Sequence, residues 1–503
     1  MFNDGPVFLS LADAIGEGHW AEVLSHPYHP LYPLSIHWLS RSGLAPETSA
    51  VAISIFGGLL AIAALHSFLR RAFDDEVAWL GAWVLVLHPW AVDFSSDVMS
   101  DGLYIGLYLS AFAALARMVE TPSLSASVCC GVLSALAYLV RPEGIGLVLI
   151  GGALLGWRVV AERSHRAAAV RCLLGLGVAA GLVMAPYVAV LSLSAGEFTL
   201  SQKKSIASML QGESSPGRRG SGSQSGYPSP PQAAIWLPQS AVLVDGPGAS
   251  RPSRDLAGVV EATWRVVRTA SAALHYEVLA FVLIGWFVIG REGRRARPWR
   301  TRALVLPVIL YQALLVLLVW GSGYVSRRHA LAIGIPLIGF AAVGWSWLWA
   351  KAEAGWVRRR DEGEGSAALA ASSRVACVGL VVVLTLVWGP RDLRPRRIER
   401  LAARQAAEWL AERHADTGSV AAQRLRTAYY AEAAFVPLPS GQDGELERDM
   451  RRSGARWIVI DQLAIGEHPG LAEGIEQWLD RVYSVRADGR TALVLEVLPR
   501  PAG

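Results

Sequence analysis

Apolar residues in this chain run in long unbroken blocks, and between the blocks lie short polar loops rich in arginine. About 20 apolar residues span a bilayer as a helix. On that rule ten spans are predicted, at 49–68, 77–92, 102–118, 124–140, 144–160, 170–193, 274–290, 303–320, 330–350 and 375–388. Before the first span, residues 7–15 read as a short helix followed by a knot of His, Pro and Tyr. Between the sixth and seventh, 201–210 reads as a short amphipathic helix, 213–231 is Gly/Ser/Pro-rich with too little apolar content to pack, and 256–273 reads as a helix lying at the interface. After Gly389 the pattern becomes that of a soluble α/β domain: a helix at 398–413, a strand at 456–461 ending in Asp461, a helix at 470–479 and a strand at 491–498. No internal repeat is visible. The chain therefore divides into an outer loop at 1–48, a multi-helix transmembrane domain at 49–389 with a long outer loop at 194–273, and a soluble domain at 390–503.

Composition agrees. Of 503 residues 52% are hydrophobic and 18% charged, too apolar for an ordinary soluble enzyme and right for a polytopic α-helical membrane protein. A net charge of +5 would suit nucleic acid, but the arginines sit between apolar blocks, as orientation signals do, so no nucleic-acid partner is expected. The loops holding Arg70-Arg71, Arg117, Arg158 to Arg171, Arg291 to Arg302 and Lys351 to Arg360 share one side, the cytoplasmic one. The first 48 residues, 93–101, 194–273, 322–329 and the C-terminal domain then face outward. The first loop carries Asp4, Asp13, Glu17, Glu22 and Glu47 with no helix ahead of it: either it crosses unaided, or an earlier helix precedes it in the full protein. Cys129, Cys130, Cys172 and Cys377 fall in or beside apolar segments, with no metal-site spacing.

The polar groups on the outer side carry the candidate chemistry. Asp4 stands beside a Gly-Pro turn, and His26, His29 and Tyr32 lie in the His/Pro/Tyr knot; all can bind or move protons. Asp93, Asp97 and Asp101 are spaced four apart before a span. On one helix they would stack, raise one another's pKa and serve as a base or cation site; alternatively they are acids favoured by a helix N-terminus. Arg141-Pro142-Glu143-Gly144 interrupts an apolar run, as a charged pair lining a cavity or as a tight helical hairpin. Arg327, Arg328 and His329 open a late span on the outer side, against the charge bias, which points to an anion or an acidic neighbour. Lys203-Lys204 shares that argument.

These motifs, in this order, resemble the C-type membrane glycosyltransferases (GT-C fold), the group of the protein O-mannosyltransferases and the bacterial aminoarabinose transferases. The likeness rests on Asp4 followed by a helix and the 26–33 turn, on Asp101-Gly102-Leu103-Tyr104 opening a span, on Arg141 to Gly144, on Arg327 to His329 and on the outward α/β domain. Two departures stand out: no helix precedes the loop acid, and Asp4 is followed by Gly5 where the family often has a second acid.

The resemblance implies an enzyme of the bacterial cytoplasmic (inner) membrane that transfers a sugar from a polyprenyl-phosphate donor to a glycan, lipid or protein acceptor at the outer face, with inversion. It implies Asp4 and Asp101 as catalytic carboxylates, with Lys203, Lys204, Arg327, Arg328 and Arg141 on the donor phosphate and His26, His29, Tyr32, His329 and Glu143 on the acceptor or sugar side. Asp97 and Asp101 are the candidate ligands should a divalent metal, Mg or Mn, take part. A transporter or flippase of a lipid-linked sugar is the rival reading, since it too needs cations for phosphate. It is disfavoured because the charges sit near outer span ends rather than mid-bilayer.

Overall fold

The computed structural model describes residues 4–201, 252–253, 255–292, 298–323, 325–357, 365–394, 397–414, 417–438, 445–465, 471, 474–475 and 477–499. Lys203, Lys204, the 201–210 helix beyond its first residue and the 213–231 segment lie outside them. The chain divides into two compact units, one of residues 18–220 and 245–393, the other of 1–17, 221–244 and 394–503.

The first unit is helical. Its helices are α2 (Trp20–Leu24), α3 (Leu31–Ser40), α4 (Pro46–Ala72), α5 (Asp75–Val86), α6 (Pro89–Ser95), α7 (Ser100–Glu120), α8 (Leu124–Val140), α9 (Ile145–Ala161) and α10 (Arg166–Ala195). The helices Leu256–Leu274, Tyr276–Glu292, Pro298–Ser322, Arg327–Val357 and Gly365–Asp392 follow. Each of the ten predicted spans falls on one of these or on a bent pair. By length and composition four helices among the described residues qualify as single spans, and up to six if each bent pair counts as one, so the figure of ten belongs to the sequence pattern alone.

Local chemistry sets the helix limits. Pro46 opens α4 at the position where its missing N–H costs nothing, with Glu47 in the first turn and Arg70 and Arg71 in the last, matching the helix dipole. Asp74 caps α5 by accepting from Val77 N–H at 2.8 Å. The predicted 77–92 span is broken: α5 and α6 meet at 62° just ahead of Pro89. The Leu256–Leu274 helix, capped by Asp255, turns through 102° into the next one, and Leu256, Val260 and Trp264 on it stay exposed. This is the geometry expected of an interfacial helix leading into a span.

Helices α4 and α7 approach backbone to backbone. A Cβ on Gly57 would overlap the Gly102 carbonyl, and one on Gly106 the Gly57 carbonyl. Since Gly102 follows Asp101, this seam fixes where the first turn of α7 stands. Gly57→Ala should force the helices apart at a cost of about 1–3 kcal/mol, read as a lower melting temperature in detergent; an unchanged melt would mean the seam yields without strain.

The second unit holds a five-stranded sheet of β1 (Ser419–Ala422), β2 (Ala434–Pro437), β3 (Trp457–Asp461), β4 (Leu479–Ala487) and β5 (Arg490–Val497), in the order β2-β1-β3-β5-β4. β1 runs parallel to β2 and β3, while β5 is antiparallel to β3 and β4. Along β3 alternate residues serve opposite faces. Trp457 and Val459 pack with Ala406 and Leu410 of the Leu401–Arg413 helix, and Ile458 and Ile460 with Leu446 and Met450 of the Glu445–Ser453 helix. Layers on both faces make this the α/β domain the pattern predicts. In the predicted 470–479 helix, 471, 474, 475 and 477 are helical, but Leu479 already opens β4. The N-terminal helix α1 (Gly5–Gly16) belongs to this unit and packs on the Leu425–Tyr430 helix.

Candidate functional site

In the helical unit, charged side chains meet where α7 starts, α8 ends and the Arg327–Val357 helix starts. Asp101 lies in the first turn of α7 and is 2% exposed; Arg141, just past the end of α8, is 7% exposed. Arg141 Nη1 donates to Asp101 Oδ1. Its Nη2 lies 3.4 Å from Glu143 Oε1, and its guanidinium carbon 5.4 Å from the centre of the Tyr104 ring. Arg328 Nη1 stands 3.9 Å from the other oxygen, Asp101 Oδ2. Burial works against the charge on Arg141, but the Asp101 and Glu143 carboxylates outweigh it and hold its pKa above the ordinary arginine value. Both oxygens of Asp101 thus face guanidinium groups, an arrangement that orients arginines.

The two arginines differ in access. The Arg141 side chain is 9% exposed and that of Arg328 27%, so Arg328 is the one that can reach an incoming anion while Arg141 locks the cluster. Arg327 takes another direction, as neighbours on a helix do: its guanidinium lies 4.8 Å over the Trp90 ring. His329 Nδ1 closes a local turn with Ser326, 2.8 Å from its Oγ.

The stretch ahead of α4 is tied to this cluster. Helix α8 ends at Arg141-Pro142, and proline has no N–H for the Tyr138 carbonyl four residues back. His29, 2% exposed, supplies it: Nδ1–H donates to Tyr138 O at 2.6 Å, with the ring against Tyr138 and Tyr187. Tyr32, in α3, places its hydroxyl 2.9 Å from Ser54 Oγ in α4, and Ser54 in turn lies 2.9 Å from the Met99 carbonyl ahead of Asp101. Burial first, and the nearby Asp101 charge, push the Tyr32 phenol well up, so it stays a neutral donor. Tyr32→Phe should cost about 1 kcal/mol of stability, measured as a lowered melting temperature; an equal melt would show the hydroxyl bonds carry no weight. His26 forms a turn, its Nδ1 accepting from Tyr28 N–H at 3.1 Å.

The Asp93, Asp97, Asp101 stack does not form. Helix α6 ends at Ser95 and α7 begins at Ser100, so the three acids never share a helix face. Asp97 is buried and accepts from Val98 N–H at 2.6 Å. Among the described residues no three His, Cys, Asp or Glu side chains gather as ligands. With both Asp101 oxygens turned to arginines, this donor set does not fit Mg or Mn, which need several oxygen ligands. Asp4 is half-buried at the N-terminus of α1, in the other unit. The sequence reading missed Ser54 and Tyr311. Tyr311 is buried, its ring 6.3 Å from Tyr108 and within electrostatic reach of Glu143 and Arg141.

Comparison with known proteins gives a consistent picture. Residues 26–190 match the family described as Dolichyl-phosphate-mannose-protein mannosyltransferase, a stretch that includes His29, Tyr32, Asp101, Arg141 and Glu143. In structure the chain is similar to ArnT from Cupriavidus metallidurans bound to undecaprenyl phosphate, at TM-score 0.55 and 15% identity over 98% of this chain and 93% of that one. Apo ArnT gives 0.54 and 14% over the same shares. An oligosaccharyltransferase of Archaeoglobus fulgidus, complexed with Zn and sulfate, gives 0.54 and 13% over 93% of this chain and 65% of that one. A further sequence likeness, 30% identical over 127 residues, is to the fluoride-specific ion channel FluC 1 of Symbiobacterium thermophilum; it covers 98% of that protein but 25% of this chain. Membrane helices draw on a narrow apolar alphabet, and the likeness that extends over nearly the whole chain is to the transferases. In its fold, and in the sequence of residues 26–190, this membrane protein resembles the C-type membrane glycosyltransferases.

Proposed function

We propose that the chain transfers a sugar from a polyprenyl-phosphate donor to an acceptor hydroxyl at the extracytoplasmic face of a bacterial inner membrane, inverting the anomeric carbon, with the C-terminal domain on that same face. The observation that carries this reading is the Asp101–Arg141–Glu143 cluster with Arg328 beside it, at helix ends that the arginine pattern assigns to the outer side. The similar ArnT structure holds undecaprenyl phosphate, which supports a polyprenyl-phosphate carrier here.

In the reaction the acceptor oxygen attacks the anomeric carbon, its proton passes to a carboxylate, and the bond from that carbon to the phosphate oxygen breaks with its electron pair going to phosphate. Asp4 is the proposed base, on the resemblance alone. Asp101 and Glu143 orient Arg141, and Arg328 offers its guanidinium to the phosphate as charge develops on the departing oxygen. Because the attack comes from the face opposite the leaving group, the product has the inverted configuration.

The test is Arg328→Gln, assayed as polyprenyl phosphate released from its sugar ester. A loss of about 10²–10³-fold in kcat/KM is expected, the scale for removing a charge-stabilising donor, with partial recovery in Arg328→Lys. Wild-type kinetics in Arg328→Gln would remove Arg328 from the donor site.

A further inference from the structure

The reaction leaves a group of arginines in the second unit unused. The Leu401–Arg413 helix continues from the turn Ile398–Arg400 and packs against the Leu425–Tyr430 helix. Arg400 and Arg404 are four residues apart, as are Arg426 and Tyr430, so each pair lines one side of its element. The two rows meet. The Arg404 guanidinium carbon lies 4.3 Å over the Tyr430 ring, and its Nη1 donates to the Tyr430 hydroxyl at 3.3 Å. Arg400 lies within electrostatic reach of Arg426, and so does Arg424, exposed just ahead of the second helix.

Like charge dominates around Arg426. Its guanidinium is half-buried and its pKa is pushed down to about 10, by burial first and then by Arg400 and Arg424, which outweigh Glu399. The acids of the group are already engaged: Glu399 Oε1 lies 3.2 Å from Arg400 Nε, and Glu408 Oε1 2.7 Å from Arg404 Nε. Arginines on a purely solvated face gain by standing apart, since like charges repel. Holding them together, with one half-buried, favours an anion supplied from outside the chain.

The place of these residues in the chain says where that anion lies. Arg400 comes eight residues after the last apolar helix, which ends at Asp392, and a tether of that length reaches at most about 28 Å. The charge pattern assigns this stretch to the outer side, where arginines are not needed for orientation. Leu401, next to Arg400, is 41% exposed. Apolar and basic groups side by side suit the headgroup layer, where a leucine enters the acyl boundary and a guanidinium meets phosphate. A soluble anion would gain nothing from the leucine.

We infer that Arg400, Arg404, Arg424 and Arg426, with the neighbouring Leu401, form a surface by which the C-terminal domain docks on acidic phospholipid headgroups of the membrane. The ligands are bulk acidic lipids and not the sugar donor. Docking needs no sugar transfer, so this inference does not depend on the proposed reaction.

The test is hydrogen exchange, read by mass spectrometry, on the full chain in lipid nanodiscs of phosphatidylcholine or of an equal mixture with phosphatidylglycerol. Peptides covering 398–413 and 424–430 should exchange about fivefold or more slowly in the acidic discs, the scale for one arginine at a charged surface. Added salt should shrink the difference. Arg424→Gln combined with Arg426→Gln should abolish it, and Lys at both positions should keep it. Arg456→Gln, on an arginine paired with Glu496 in the same domain, should leave it unchanged. Peptides covering β5 report whether each variant is folded; Arg424→Gln alone, on an exposed side chain, should weaken the difference even where the double change disturbs β5. Inorganic phosphate added to the neutral discs is the third arm. Protection there equal to that in acidic discs means that the arginines take a free anion, and overturns membrane docking. Equal wild-type exchange in the two kinds of disc, or a difference that survives in the folded Gln variants, also overturns it. A wild type that shows the lipid-dependent protection but no transfer on any donor leaves this inference standing while the transferase reading falls.

Discussion

Asp101→Asn is expected to destabilise the protein by about 3–5 kcal/mol, because it strips the main counter-charge from a guanidinium that is 7% exposed. Glu143, 3.4 Å from the other arm of Arg141, places the cost toward the lower end. The amide keeps the shape of the side chain, so the loss reports charge and not packing. A double-mutant cycle with Arg141→Gln separates the pair from its surroundings. Each single variant should melt well below wild type in detergent, and the double variant should melt no lower than the worse single one. Activity should fall with stability, since the same carboxylate orients Arg328. Strictly additive small effects would mean that the pair is not formed in the folded protein.

Asp4→Asn is expected to act on the chemical step itself. If Asp4 takes the acceptor proton, the amide leaves the fold intact but provides no base, and kcat should drop about 10²-fold or more with little change in donor KM. Asp4 stands at the start of α1, a helix that packs with the C-terminal domain, so melting of both proteins must be compared first. A variant that folds and turns over as wild type would make Asp4 a surface acid, leaving the proton to another group.

Much of this architecture was legible in the chain because bilayer-length apolar blocks and soluble α/β patterning are separate signals. All ten blocks are helical, and the 124–140 prediction coincides with α8. The bends were not legible from apolar content, which stays high through His88; Pro89 was the local sign that α5 would stop. Three of the five strands were missed for a physical reason: Ser419–Ala422 is short and alanine-rich, Ala434–Pro437 is an edge strand, and Leu479–Ala487 is a largely exposed edge. These patterns carry little apolar alternation.

At the site, the sequence singled out Asp101, Arg141, Glu143 and Arg328, each out of place by charge or position. It could not show that Asp101 and Arg141, 40 residues apart, are partners, or that each Asp101 oxygen faces a guanidinium. His29 was legible as a proton-handling group, yet its observed role follows from Pro142, whose missing N–H leaves the Tyr138 carbonyl to be filled.

The most direct measurement of the central claim is sugar transfer by the purified wild-type chain in detergent, without any sealed compartment. With a polyprenyl-phosphate sugar and a hydroxyl acceptor, the account predicts stoichiometric release of polyprenyl phosphate and a new glycosidic bond of inverted anomeric configuration. Movement of lipid-linked sugar, or of an ion, across sealed vesicles with no new bond on any donor tried would contradict it.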